Sequence, residues 1–192
     1  GAEEHKAEAI KRLQNAADLD MDVKKGKGGA NELRIKVTNL RAGHHLPTSL
    51  TFIRRIWLDV TITDDQGRVL LRSGELDAHN RVDEDTVIFG NHSVDKHGKP
   101  TVNPWEIARF DELNTIPPKG YRYGKYAFQL PPDAKGFKVI AKLNYQSYDQ
   151  KVADKLLGDK AIIVPTVEMK ALTRAYGADL KVAEATAKVA LR

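Results

Sequence analysis

Apolar residues recur with a period of two along the middle of this 192-residue chain, and that alternation restricts it to stacked β-sheets. Leu33, Ile35 and Val37 alternate with Arg34, Lys36 and Thr38, which is how a strand looks when one face is buried and the other wet. The same pattern predicts a strand over residues 53–63, with Ile56, Leu58, Val60 and Ile62 on one face. Asp64, Asp65, Gln66 and Gly67 then reverse the chain, and Val69 and Leu71 continue it, so the pair reads as a β-hairpin. Residues 121–130 (Tyr126, Phe128, Leu130) and 137–145 (Phe137, Val139, Ala141, Leu143, Tyr145) alternate again on either side of a PPDAKG turn. Strands with one apolar face must bury those faces against one another, so the expected fold is mainly β, an immunoglobulin-like β-sandwich.

The ends of the chain change period. Ala7, Ile10, Leu13, Ala16 and Ala17 recur at helical spacing and predict an amphipathic helix over residues 3–19. The run KKGKGGAN, residues 24–31, reads as a linker or tight turn; it lacks the GxxxxGK[ST] order that would cradle a phosphate. Beyond residue 148, VADKLL predicts a short helix, residues 162–164 an extended stretch, and residues from Val167 onward a return to helix. In that tail Leu180, Val182, Ala183, Ala187 and Leu191 share a side that packs on the domain or docks on a partner. The expected organisation is therefore an amino-terminal helix and linker (1–30), a main sandwich (31–148) and a helical carboxy-terminal extension (149–192) around one core.

Composition removes several classes of function. There is no cysteine, which excludes disulfides, a thiolate nucleophile, cysteinyl iron–sulfur ligation and a CxxCH haem attachment within these residues. Thirty-one basic and 26 acidic side chains leave a net charge of +5, but the signs are mixed and no basic aromatic motif accompanies them, so nucleic-acid binding is not expected. No apolar run approaches the roughly 20 residues of a membrane span.

Chemistry-bearing side chains gather in two places. One is Arg41-Ala42-Gly43-His44-His45-Leu46-Pro47-Thr48, where Gly43 frees the backbone, Pro47 restrains it, and adjacent imidazoles project in different directions. A neutral imidazole can ligate iron, zinc or copper, or can hydrogen-bond to stabilise its own loop; both roles fit His44 and His45. The other is the polar stretch 73–109, too long for an ordinary connection, in which residues 87–89 read as a brief strand. It offers His79 beside Asp77, and His92 and His97 around Asp95, a candidate transition-metal set if the chain brings them to His44 or His45. Asp77, Asp83, Glu84 and Asp85 offer hard oxygen ligands for calcium, without the ordered EF-hand loop; solvated turn caps are the simpler reading. No nucleophile elbow, HExxH helix or dinucleotide fingerprint is present, so independent catalysis is not expected. Trp57, Trp105, Tyr121, Tyr123 and Tyr126 are read as core or rim packing.

Taken in order, ELRIKVTN (residues 32–39), RAGHHLPTS, RRIWLDVTITDDQGRVLLRSG, the downstream Asp77, DKHGKPTVNPWE, the turn Ile116-Pro117-Pro118-Lys119-Gly120 and KVIAKLNYQSY resemble the haem-free, carboxy-terminal β domain of a family of multihaem c-type cytochromes, over residues 31–170. The resemblance implies a periplasmic or extracellular electron-transfer assembly. In it this domain carries no covalent haem and docks with, or supports, a multihaem cytochrome or another electron-transfer subunit. It also implies His44, with His45 as the alternative, as the first position to consider for contact with a partner's haem. Ser49 stands where glycine often follows the Pro-Thr pair in similar domains, which leaves the direction of the histidines open. The alternative is a metal- or small-ligand-binding β-sandwich module.

Overall fold

The computed structural model describes residues 1–83, 85–158 and 162–183. In chain order the elements are α1 (Ala2–Ala16), β1 (Ala17–Lys25), β2 (Asn31–Asn39), β3 (Arg55–Asp64), β4 (Val69–Ser73), β5 (Ile88–Phe89), β6 (Asn91–Val94), β7 (Arg109–Leu113), β8 (Tyr121–Phe128), β9 (Gly136–Gln146), α2 (Gln150–Leu157) and β10 (Val167–Gly177). One sheet runs β1-β2-β8; a second runs β10-β9-β3-β4, with β5 also on β3; β6 and β7 form a separate ribbon. All these strand pairs are antiparallel.

The alternating residues fill the space between the two sheets. Leu33, Ile35 and Val37 of β2 and Tyr126 and Phe128 of β8 share one cluster with Ile56, Leu58, Val60 and Ile62 of β3 and Val139, Ala141 and Leu143 of β9. Trp57 faces the other way yet is fully buried, because the chain after β4 crosses over it and its indole N–H donates to Gly74 O at 2.9 Å. Only glycine fits there: Gly74 has φ +83°, and a β-carbon would lie 2.1 Å from Leu58 O.

The amino-terminal helix ends at Ala16, three residues earlier than its spacing suggests. Ala17, Leu19 and Met21 are buried and alternate with Asp18, Asp20 and Asp22, so a strand begins where the helical reading continues. Two adjacent alanines satisfy either period, which hides the switch. Residues 26–30, with Gly28 at φ +66°, are then a hairpin turn between β1 and β2. Beyond residue 148 the expected short helix is present as α2, its N–H of Lys151 capped by Asp149 Oδ1 at 3.0 Å.

The helical reading from Val167 is corrected to a strand. A bulge at Glu168/Lys170 shifts β10 by one residue, so the inward positions run Met169, Leu172, Arg174 and Tyr176; with a charged residue at one of them, the apolar ones alone, Met169, Leu172 and Tyr176, imitate the 3–4 spacing of a helix face. After Gly177 the chain turns through Ala178–Leu180 and runs back antiparallel on β10, where Ala183 N–H donates to Ala175 O at 2.9 Å; Ala187 and Leu191 lie outside the described residues. The flanking segments thus supply β1 and β10 to the sheets. These two strands meet along one side of the sandwich, where Arg174 bonds Met21 O and Asp20, Lys170 bonds Asp18, and Tyr176 donates to Met21 O.

Candidate functional site

The loops that carry the candidate residues gather where β2 ends and β3 begins. Asn39, the last residue of β2, is fully buried. Its amide donates to His44 O (2.8 Å) and Ile116 O (3.2 Å), and its Oδ1 accepts from Ala42 N–H (3.1 Å). Leu46 and Ile116, both buried, exchange two backbone hydrogen bonds of 2.9 and 2.7 Å. The turn is therefore pinned at both ends, and His44 and His45 between the pins are exposed. The Leu46–Pro47 peptide is cis.

The two imidazoles are held differently. His44 Nδ1 lies 2.9 Å from His45 O. A carbonyl only accepts, so Nδ1 carries the proton and, in the neutral ring, Nε2 presents its lone pair. His45 Nδ1 lies 2.9 Å from Thr115 Oγ1, a hydroxyl that suits either tautomer. His44 also lines a groove of about 560 Å³, between Ala9, Arg12 and Leu13 of α1 and Arg41 and Ala42 of the loop. Beside the groove the loop is tied to the helix end, where Leu40 and Arg41 donate their N–H groups to Ala16 O at 2.9 and 3.2 Å.

A second depression lies between residues 51–55, the β6–β7 ribbon and α2, as two adjoining cavities of about 470 and 700 Å³ that share Phe52, Arg55, Asn91, His92 and Asp149. At its floor Arg55 is ion-paired with Asp149, the side chains 15% and 11% exposed. Burial lowers the Arg55 pKa, and the charge of Asp149 opposes that shift. His92 Nδ1 is 2.7 Å from Asp111 Oδ1, across the ribbon.

The acidic candidates are occupied with turns. Asp77 Oδ1 accepts from His79 N–H and Arg81 N–H at 2.8 and 2.9 Å; Asp95 Oδ1 accepts from His97 N–H and Lys99 N–H at the same distances. Asp64 holds its turn the same way, through Gln66 and Arg68. In each turn the fourth residue has positive φ: Asn80, Gly98 and Gly67. Backbone N–H donation, led by Arg81 for Asp77 and Lys99 for Asp95, holds both carboxyls below the usual range. His79 and His97 are thus turn residues. The structure does not bring them, or His92, to His44 and His45: among the described residues no group of three or more His, Cys, Asp or Glu side chains converges on a metal position. Asp83 and Asp85 are exposed, and Glu84 lies outside the described residues.

Sequence reasoning missed Asn39, Thr115 and the Arg55–Asp149 pair. Their partners are up to 94 residues away, so no local spacing reveals them.

These features define a mainly-β, sandwich-like domain with two multi-strand sheets, two short helices near the ends, and an exposed imidazole turn at one pole. No family model matches the chain, and no curated protein matches it. Among solved structures the fold is similar to that of a penta-heme cytochrome c552 from Thermochromatium tepidum, with a TM-score of 0.65 and 19% sequence identity, over 86% of this chain and 41% of that one. At that identity the likeness is one of fold, and it spans less than half of the cytochrome. A Northeast Structural Genomics Consortium target overlaps 84% of this chain and 87% of its own at a TM-score of 0.36 and 11% identity, too low to establish a common fold. With no cysteine, these 192 residues hold no thioether attachment for haem.

Proposed function

We propose that this domain is a haem-free accessory module of a multihaem electron-transfer system, an immunoglobulin-like sandwich working in the periplasm or outside the cell without turnover of its own. Its histidine-turn end docks on a haem-bearing partner, with His44 rather than His45 directed at the haem. The observation that carries this reading is the His44 Nδ1 hydrogen bond to His45 O, which leaves Nε2 as the free basic nitrogen at the wall of a groove. Ala9, Leu13 and Ala42 suit the apolar face of a macrocycle, and Arg12 and Arg41 suit its carboxylates. A haem held there would be the electron carrier; the protein would supply a neutral imidazole whose basicity is raised by the carbonyl on its other nitrogen. If His44 stops short of the iron, the same surface positions the partner.

The test mixes the domain with a ferric c-type haem octapeptide whose sixth coordination position is open. A shift of the Soret band from high-spin to low-spin is expected for the natural protein and for His45→Ala, and not for His44→Ala. An undiminished shift in His44→Ala would refute the assignment.

A small-ligand-binding module is the second reading, favoured by the depression over Arg55 and Asp149. Retention of a metal or small molecule that depends on Arg55 or His92, with no response to haem, would select it.

A further inference from the structure

Among the described residues β8 has one strand neighbour, β2, and its other edge carries no strand. Asn39 N–H donates to Gly120 O at 2.9 Å, and with the β2–β8 register this places the hydrogen-bonded pairs at Arg122, Gly124, Tyr126 and Phe128. The N–H and C=O groups of Tyr121, Tyr123, Lys125 and Ala127 therefore point away from β2. Among the described residues only one side chain reaches them, Arg122 Nη1 at 3.4 Å from Tyr121 O. The same four residues have exposed side chains. The opposite side of the sandwich differs: there β1 and β10 are cross-linked, and Ala183 occupies part of the β10 edge. Unpaired backbone along an eight-residue strand is a template for pairing.

The charges around that edge select the occupant. The nearby carboxylates are engaged elsewhere: Asp22 with Arg34, Asp20 with Arg174, Asp18 with Lys170 and Glu32 with Lys24. Lys36, Arg122 and Lys125 are left without a carboxylate partner among the described residues. Lys36 Nζ sits 4.4 Å over the Tyr121 ring and the Arg34 guanidinium 5.2 Å over Tyr123, which fixes both rings beside the edge. β8 itself contains two cations and no acid. Pairing two copies of β8 would set like charges together with nothing to offset them.

We propose that β8 binds an acidic, extended segment of a partner protein by strand addition, backbone pairing giving adhesion and Lys36 and Lys125, on the outer face of the sheet, giving selectivity. This surface is separate from the histidine turn and does not depend on the haem reading.

The test titrates the whole domain into a fluorescein-labelled, acetylated eight-residue peptide alternating glutamate and valine, beside a counterpart with lysine for glutamate. The glutamate peptide is expected to bind and to protect the Tyr123 and Lys125 amides from hydrogen exchange. The double variant Lys36→Glu, Lys125→Glu should weaken binding about tenfold. Tyr123→Pro should abolish binding while Tyr123→Ala retains it, since both lose the ring and only proline loses the outward N–H. Equal binding of the two peptides, no binding at millimolar peptide, unchanged exchange at those amides, or a β8-dependent homodimer in sedimentation would each overturn the proposal.

Discussion

His45 Nδ1 and Thr115 Oγ1 lie 2.9 Å apart although 70 residues separate them, and through this bond one member of the doubled histidine is tied to the stretch leading into β8. Among the described residues the His44 ring bonds only to the carbonyl of its neighbour. His45→Ala is therefore expected to lower the unfolding free energy by about 1 kcal/mol, and His44→Ala by less, in urea titrations. Asn39→Ala removes three bonds from a fully buried side chain and takes the partner from the His44 carbonyl and the Ala42 N–H, while Ile116 O keeps the N–H of Leu46. It should cost about 3 kcal/mol and also abolish the difference between the two histidine variants.

Gly74→Ala should be among the most damaging single-methyl additions, because the new carbon meets the Leu58 carbonyl in a backbone conformation that alanine disfavours. A loss of about 3 kcal/mol or more is expected in urea denaturation. Trp57→Phe replaces the buried indole by a smaller ring, which leaves a cavity, and loses the bond to Gly74 O; hydrogen bonding accounts for about 1 kcal/mol of the expected loss.

Asp149→Asn retains the oxygen that caps α2 and removes the charge facing Arg55. With both side chains largely buried, the orphaned guanidinium should cost about 3 kcal/mol. Replacing both residues by methionine should cost less than the sum of the two single replacements; strict additivity in the double-mutant cycle would contradict the pairing.

Acid should destabilise the fold through its turn caps. The Asp77 and Asp95 carboxyls are held below their ordinary value of 3.8 in the folded chain. Their ionised forms thus favour folding: the contribution is present in full above the unfolded value and is lost as pH falls through the lower folded ones. Urea midpoints should fall between about pH 5 and about pH 2.5, and the fall should be shallower in an Asp77→Asn, Asp95→Asn variant, which keeps the acceptor oxygens without the charge. Identical slopes in the two proteins would remove these caps as the cause.

Where one period ran undisturbed, the strands could be read directly: β2, β3, β8 and β9 lie close to where Leu33–Val37, Ile56–Ile62, Tyr126–Phe128 and Phe137–Tyr145 alternate. β1 was hidden by the alanine pair that joins it to α1. β10 was hidden because a bulge offsets Met169 from Leu172 and the charged Arg174 takes the inward position between Leu172 and Tyr176, so its apolar residues alone do not alternate. The ribbon β6–β7 was hidden because β7 is exposed along its whole length, so no burial pattern marks it. The candidate site was legible only in part: the composition of the histidine turn marked it, but the backbone bonds that place His79 and His97 in separate turns, closed by Asp77 and Asp95, show only in the folded chain.

Local pattern alone determined that this chain is mainly β, that it buries alternating faces in one core, and that without cysteine it can hold no thioether-linked haem. Tertiary structure decided which strands share a sheet, which imidazole is anchored and which presents a bare nitrogen, and that β8 ends its sheet among the described residues. Periodicity follows from backbone geometry and survives in any window of the chain. The orientation of a ring or the partner of an edge is set by groups many residues away, such as Thr115 for His45, which only the folded chain brings within reach.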